Sequence, residues 1–217
     1  MKGAGNLSDQ INILLQNEQP EDYRIVEELT REAFWNHHMP GGGDEHYLLH
    51  IMRNADCFIR ELDVVAEADG KIVGNIIYTK ANVISDDGNC HEVISFGPLS
   101  VLPEFQGMGI GGKLIESTKI TAKELGYKAI LIYGDPEYYC SFGFTAAETF
   151  KIGTADNMYA LPLQAQELVP GALSKIGGRF FEDAVLMWIQ RLQENLIKNL
   201  LPKSLGMTCH RKSDFVI

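Results

Sequence analysis

A glycine-rich bend is the stretch of this sequence whose residue types and spacing most clearly indicate chemistry. It reads SVLPEFQGMGIGGKLIES over residues 100–117 and carries glycine at Gly107, Gly109, Gly111 and Gly112. The run before the bend is apolar, and the run after it has helical spacing. Bare backbone N–H groups at the start of a helix bind anions, because they donate hydrogen bonds at the positive end of the helix dipole. The bend therefore predicts a site for phosphate groups.

Three ligands compete for such a site: a nucleoside triphosphate, a dinucleotide and the pyrophosphate of coenzyme A (CoA). Residues 107–113 nearly match the P-loop pattern, but Leu114 follows where a magnesium-binding hydroxyl is needed. A dinucleotide fingerprint opens a βαβ unit and has an acid at the end of the next strand. This bend instead follows hairpins, and Glu124 falls within the next helical segment. CoA needs neither feature and is favoured, with a tight turn that binds no ligand as the structural alternative.

Segments on both sides of the bend extend the pattern. Residues 106–111 match Q/R-x-x-G-x-G/A, GPLSVL precedes them, and EYYCSFGF follows at residues 137–144. In these segments the chain resembles the GNAT superfamily of N-acetyltransferases, and its GDPEYYCSFGF segment is most similar to a branch of predicted bacterial N-acetyltransferases. The resemblance covers residues 10–168 in element order. It implies acetyl-CoA as the co-substrate, an amine as the acceptor and a reaction that needs no metal.

The resemblance also implies roles for individual residues. Backbone groups of Leu99, Ser100 and Val101 would bind the pantetheine arm and the thioester carbonyl. Tyr139, four residues before Gly143, would protonate the departing thiolate, since a phenol with an ordinary pKa of about 10 is protonated at neutral pH. An ordinary packing tyrosine is the alternative. The residues that would bind the pyrophosphate are Gln106, Gly107, Met108, Gly109, Ile110, Gly111 and Gly112.

The base that accepts the proton of the amine is less well defined. Superfamily members that use a glutamate place it on the strand before the bend, at an offset that falls on Ser95 here. Glu92, earlier on the same strand, is the catalytic candidate and would act through a water, with a solvent-exposed strand acid as the alternative. Asp135 is interpreted as the N-cap of a short helix with Pro136 at its first position, rather than as a catalytic group.

Histidines and cysteines provide weaker candidates. His46 and His50 are one helical turn apart and lie near His37 and His38 in the sequence. A metal pair is the minor interpretation, and histidines of a substrate loop or of the surface are the major one; the resemblance implies that this loop shapes the acceptor pocket. Cys140 has no basic neighbour that would lower its pKa, so a covalent route is not favoured. The four cysteines show no CxxC spacing, which indicates reduced thiols rather than disulfides or a zinc site.

The charge balance limits the class of partner. Twenty-nine acidic and 19 basic residues give a formal net charge of −10. This balance argues against a nucleic-acid partner, because binding to phosphates requires basic residues. An acidic protein would attract a cationic amine, although a negative net charge also keeps proteins soluble. The sequence has no apolar run of membrane-spanning length and its start does not resemble a secretory signal. We expect a cytoplasmic protein whose acceptor is a small-molecule or protein amine.

The elements that must position these residues follow a mixed pattern of strands and helices. We predict an α/β fold of GNAT-like type, with a mixed, mostly antiparallel central sheet flanked by helices and a C-terminal helical extension. A hairpin turns at Asp69 and Gly70. The predicted strands cover residues 11–18, two runs within 62–84, 90–102, 128–134 and 157–168, and the predicted helices cover 20–35, 44–54, 110–125 and a short piece of 135–144.

The predicted organisation is a GNAT-like domain at residues 10–168 and an extension at 169–217. Within the extension, Phe181, Val185 and Trp188 begin an apolar stripe that predicts an amphipathic helix over 179–201. This helix would pack on its own domain or form a homodimer contact. The predicted function is transfer of an acetyl group from acetyl-CoA to a primary amine by direct attack in a ternary complex. The alternative is a non-catalytic acyl-CoA-binding sensor that acts through a protein partner.

Overall fold

The computed structural model describes residues 12–35 and 44–183. The chain divides into two compact units, and two long strands run from one unit into the other. The first unit comprises residues up to Thr79 together with Phe96–Lys128, and the second comprises Lys80–Ser95 together with residues from Ala129 onward.

The described part of the first unit combines antiparallel strands with three α-helices. Its first hairpin turns at Asp69 and Gly70, whose φ angles are 49° and 80°. This left-handed pair confirms the turn predicted from the sequence. The elements in chain order are β1 (Ile13–Asn17), α1 (Tyr23–Ala33), α2 (Glu45–Met52), β2 (Val64–Ala68), β3 (Lys71–Ser85), β4 (Cys90–Val101) and α3 (Ile110–Glu124).

Buried hydrogen bonds join the helices of the first unit to its strands. Strand β2 pairs antiparallel with both β1 and β3. A bond of 2.9 Å between Thr30 Oγ1 and Ser100 Oγ connects α1 to β4. A bond of 2.8 Å between the Tyr78 hydroxyl and Thr118 Oγ1 connects α3 to β3. Both bonds lie in the interior, where they satisfy hydroxyl groups that would otherwise be costly to bury.

The first unit also buries a group of charged side chains around Arg53. Its guanidinium lies 2.7 Å from Glu18 Oε1 and 3.1 Å from Glu27 Oε1, with Asp63 Oδ2 at 4.0 Å. One guanidinium therefore faces three carboxylates. Burial raises the pKa of Glu18, the hydrogen bond and charge of Asp63 raise it further, and Arg53 opposes the shift. We infer that Glu18 binds a proton more tightly in the folded chain than in the unfolded chain.

The second unit has its own apolar core and its own strand pairings. Strand β4 pairs in parallel with the next strand through Ile94 and Ile130. The core includes Val83, Leu131 and Phe180. The elements that complete this unit are β5 (Ala129–Tyr133), α4 (Pro136–Tyr139), β6 (Thr145–Ala146), β7 (Ile152–Gly153), β8 (Leu163–Glu167) and β9 (Gly178–Phe181).

The pairings confirm the predicted fold class. Strand β8 is antiparallel to β5 and β6, and β9 is antiparallel to β3. Among the described pairings only β4 with β5 and β7 with β9 are parallel. The sheet is therefore mixed and mostly antiparallel, with helices packed on it.

Two predicted elements have different limits in the structure. The helix predicted from residue 179 is wrong at its start, because residues 178–181 form β9 and pair with residues 82–85 of β3. This pairing buries Phe180 in the core of the second unit. The strand predicted over 157–168 is limited to Leu163–Glu167, since a hydrogen-bonded turn occupies residues 154–158. The rest of the predicted helix, from residue 184, lies outside the described residues.

Candidate functional site

The glycine bend joins the end of β4 to the start of α3. Strand β4 ends at Val101, a short 3-10 helix covers Pro103–Phe105, and α3 begins at Ile110. Gly107 and Gly109 have φ angles of 74° and 77°, a region that favours glycine. A Cβ added at either position would have no heavy atom within 4 Å. The backbone of the bend is therefore bare, and the space in front of it is open.

The first turn of α3 presents backbone donors to this space. Gly109 is the N-cap and has no side chain with which to cap the helix. The amide of Lys113 donates to Gly109 O at 3.1 Å. The three amides before it, from Ile110 to Gly112, have no acceptor within the helix by α-helical geometry. Together with the helix dipole they form a site with the donors and charge that a diphosphate requires, so the residues present fit the pyrophosphate of CoA.

Side chains around the bend hold it to the strand. Gln106 Nε2 donates to Val101 O at 3.0 Å, so this predicted ligand residue also ties the bend to the end of β4. Ser100 is fully buried, and its hydroxyl bonds to Thr30. Only the backbone of Ser100 is then available to a ligand. Leu99 and Val101 are half-buried, and Met108 is exposed.

Gly74 of β3 is a residue that sequence reasoning missed. A Cβ at this position would lie 3.1 Å from Ser100 O, 3.2 Å from Ile110 Cγ2 and 3.4 Å from Leu114 Cδ1. Its missing side chain lets the first turn of α3 pack closely on β3 and β4. A glycine within a strand is the sequence signal for such a close approach, but the sequence alone does not identify the partner element.

Tyr139 lies on a short helix of the second unit. Asp135 Oδ1 accepts a hydrogen bond of 3.0 Å from Glu137 N, and Pro136 occupies the first turn. These contacts confirm the interpretation of Asp135 as an N-cap. Tyr139 N donates to Asp135 O at 3.0 Å. The short helix is thus fixed directly after β5.

The ring of Tyr139 packs over the backbone of Gly134. A Cβ added at Gly134 would overlap Tyr139 Cε2 and lie 2.7 Å from Cδ2. Tyr138 and Phe144 contact the ring at centroid distances of 5.0 Å and 5.7 Å. Burial raises the pKa of the Tyr139 phenol, and the charges of Tyr138 and Asp135 add to the shift. The phenol is therefore protonated across the physiological pH range. Sequence reasoning did not identify Gly134.

Two other residues considered for catalysis, Glu92 and Cys140, are exposed. Glu92 has a side chain that is 57% exposed, and its Oε2 lies 3.9 Å from Lys80 Nζ. The assignment of Glu92 as a base stays a prediction. Cys140 is an exposed free thiol, and its Sγ donates to Glu137 O at 3.2 Å.

The histidine cluster is only partly within the described chain. His50 Nδ1 lies 3.3 Å from Glu27 Oε1, while His37 and His38 fall outside the described residues. In residues 12–35 and 44–183, no group of three or more His, Cys, Asp or Glu side chains is arranged to hold a metal ion. No helix in the same ranges is long and apolar enough to span a membrane.

Known proteins resemble this chain in sequence. A family model described as "Acetyltransferase (GNAT) domain" matches residues 55–146. The uncharacterized N-acetyltransferase YjhQ of Escherichia coli K12 is 34% identical over 84 residues, which cover 38% of this chain and 45% of YjhQ. The chain thus spans less than half the length of that relative. The uncharacterized N-acetyltransferase YhbS of the same organism is 27% identical over 135 residues, which cover 62% of this chain and 75% of YhbS.

Solved structures show the same fold. The crystal structure of YhbS from Escherichia coli in complex with CoA matches with a TM-score of 0.72 and 22% identity, and covers 84% of this chain and 96% of that one. A GNAT family acetyltransferase from Brucella melitensis, in complex with acetyl-CoA, matches with a TM-score of 0.64 and 25% identity, and covers 81% of this chain and 99% of that one. Residues 55–146 therefore match a GNAT acetyltransferase domain, and the solved structures show that the chain shares the fold of bacterial GNAT acetyltransferases.

Proposed function

We propose that this protein transfers an acetyl group from acetyl-CoA to a primary amine by direct attack in a ternary complex. The observation that carries the proposal is the pair of left-handed glycines, Gly107 and Gly109, with open space at both positions before α3. Relatives of this fold have been crystallised with CoA and with acetyl-CoA, which supports the same co-substrate here.

In this proposal the binding residues act through their backbone. The amides of residues 107–112 donate to the diphosphate, and the missing Cβ atoms of Gly107 and Gly109 let it approach closely. The backbone of residues 99–101 binds the pantetheine arm, and the N–H of Val101 polarises the thioester carbonyl. Gln106 keeps the bend against the end of β4 through its bond to Val101 O.

In the proposed transfer, the carbonyl carbon of the acetyl group exchanges its bond to sulfur for a bond to nitrogen. The nitrogen of the neutral amine forms a bond to this carbon, and the carbon–sulfur bond breaks. Tyr139 donates its proton to the departing thiolate and recovers a proton from solvent. The raised pKa of Tyr139 supports this role, because the phenol is fully protonated before each turnover. The proton that the nitrogen loses passes to a base, for which Glu92, acting through a water, is the candidate.

Calorimetry and steady-state kinetics of the full chain test the proposal. Titration with acetyl-CoA should give saturable binding, and release of CoA thiol should require a primary amine. Initial rates with both substrates varied should follow a sequential pattern, because both must be bound together. Absence of acetyl-CoA binding would overturn the proposal. A burst of thiol without an amine would contradict direct attack, and binding without turnover on any amine would favour the sensor.

A further inference from the structure

The second unit contains a cavity of about 510 Å³. It lies where β5 ends, between the loop that follows β7 and the end of β9. Aromatic and apolar side chains form much of its wall, and two carboxylates complete it. The residues that matter for its chemistry are Tyr133, Asp156, Met158, Tyr159, Phe180 and Glu182.

Three large side chains with apolar surface are exposed at this cavity. Tyr133, Met158 and Tyr159 are 46%, 65% and 56% exposed, whereas Phe180 is buried at 1%. The rings of Tyr133 and Phe180 are 6.0 Å apart and tilted by 51°. Exposed apolar groups gathered around a concave surface are typical of a ligand site.

The loop that forms one wall is held by its own hydrogen bonds. Thr154 N donates to Met158 O at 2.8 Å, Asn157 N donates to Thr154 O at 2.8 Å, and Met158 N donates to Thr154 Oγ1 at 3.2 Å. A Cβ at Gly153 would lie 3.0 Å from Met158 O, so the loop packs closely on the end of β7. These contacts pre-organise the wall, which lowers the entropic cost of ligand binding.

Two acidic side chains line the cavity. Asp156 and Glu182 both act on Tyr133, whose pKa is raised to about 12 by burial and by the charges of these two carboxylates. Among the described residues that line the cavity there is no lysine or arginine. Aromatic faces attract cations, and carboxylates near a low-dielectric wall add to this attraction.

We propose that this cavity binds the acceptor amine as its ammonium ion, with the apolar body of the amine against the rings of Tyr133 and Tyr159. The proposal rests on the proposed acetyl transfer and specifies its acceptor as a cationic amine that carries an apolar or aromatic group. Primary amines have an ordinary pKa of about 10, as lysine does, so the ammonium ion is the form in solution. After binding it transfers one proton to solvent, which leaves the neutral amine that attacks the thioester; the second proton passes to the base.

The test uses two probes of nearly equal size that differ in charge, 4-phenylbutylamine and 4-phenylbutan-1-ol. Calorimetry on the full chain with CoA bound should show that the amine binds about tenfold more tightly than the alcohol. Replacing both carboxylates, Asp156→Asn with Glu182→Gln, should reduce this preference to near unity. Glu148→Gln is the matched control, because Glu148 is an exposed acid of the same unit that does not line the cavity.

A second variant tests the apolar wall without disturbing the core. Tyr159→Ala removes an exposed ring and should weaken the amine and the alcohol to a similar extent. Equal affinities for the two probes in the unmodified chain would overturn the proposal, as would a preference for the amine that the paired carboxylate variant leaves intact. Acetyl-CoA affinity, measured separately, distinguishes the two hypotheses. Failure of acetyl-CoA to bind refutes the proposed function, whereas loss of amine preference with acetyl-CoA still bound refutes only this inference.

Discussion

Replacing Gly109 with alanine should weaken CoA binding while it destabilises the fold only modestly. The methyl group would project from the N-cap of α3 into the open space where the diphosphate is proposed to bind. Gly70 provides a matched control in the same unit. Its φ is 80°, close to the 77° of Gly109, and a Cβ there would also have no heavy atom within 4 Å.

The structure predicts the same loss of stability for both variants. Left-handed backbone costs a non-glycine residue about 1–2 kcal/mol, and no steric clash adds to this cost at either position. For a chain of 217 residues, each kcal/mol lowers Tm by about 2–4 °C. Gly109→Ala and Gly70→Ala should therefore melt within a few degrees of each other and somewhat below the unmodified chain.

Their responses to CoA should differ. A ligand present at one hundred times its Kd stabilises the folded chain by about 2.7 kcal/mol, and a tenfold rise in Kd reduces this to about 1.4 kcal/mol. Gly70→Ala should keep the full thermal shift, and Gly109→Ala should lose about half of it or more. Thermal unfolding at fixed CoA concentration gives the shift, and calorimetry gives Kd directly.

Two results would refute this reasoning. Equal CoA affinity in Gly109→Ala and Gly70→Ala would show that the diphosphate does not approach the bend. A much larger loss of stability in Gly109→Ala than in Gly70→Ala would show that the space in front of Gly109 is not open, and the affinity data could then not be assigned to the ligand.

Three further predictions concern the proposed proton donor Tyr139, Gly134 beneath its ring, and the buried carboxyl of Glu18. Tyr139→Phe should lower kcat by one to several orders of magnitude with little change in CoA affinity, because only the proton donor is removed. Gly134→Ala should lower kcat in the same way, since the methyl group would displace the Tyr139 ring. The free energy of unfolding should fall as pH rises above 4.5, the ordinary pKa of Glu18, by up to about 1.4 kcal/mol per pH unit. Glu18→Gln should flatten this dependence, as measured by urea unfolding across pH.

Each of these predictions has a clear contrary outcome. An unchanged kcat in Tyr139→Phe would remove Tyr139 from the mechanism. For Gly134→Ala, a fall in kcat together with an equal effect in the Tyr139→Phe background would indicate a general structural effect instead of a displaced phenol. For Glu18, an identical pH slope with and without the carboxyl would show that its pKa is not raised by folding.

The sequence predicted those features that depend on short-range geometry. The turn at Asp69 and Gly70 needs two left-handed residues, and this pair supplies them. Asp135 with Pro136 at the next position encodes a helix start, and the structure has the capping bond. The glycines at 107 and 109 indicated a bare bend before a helix for the same reason. Each of these features is set by the backbone preferences of a few adjacent residues.

Tertiary structure decided the features that depend on partners far away in the chain. Phe181 fits the apolar stripe of the predicted helix, but residues 178–181 form a strand because they pair with residues 82–85 of β3. The ring of Tyr139 over Gly134, the three carboxylates around Arg53 and the cavity beside Tyr133 likewise depend on how separate elements pack. The spacing of apolar residues in the sequence indicates which face of an element is apolar. It does not indicate which other element packs against that face.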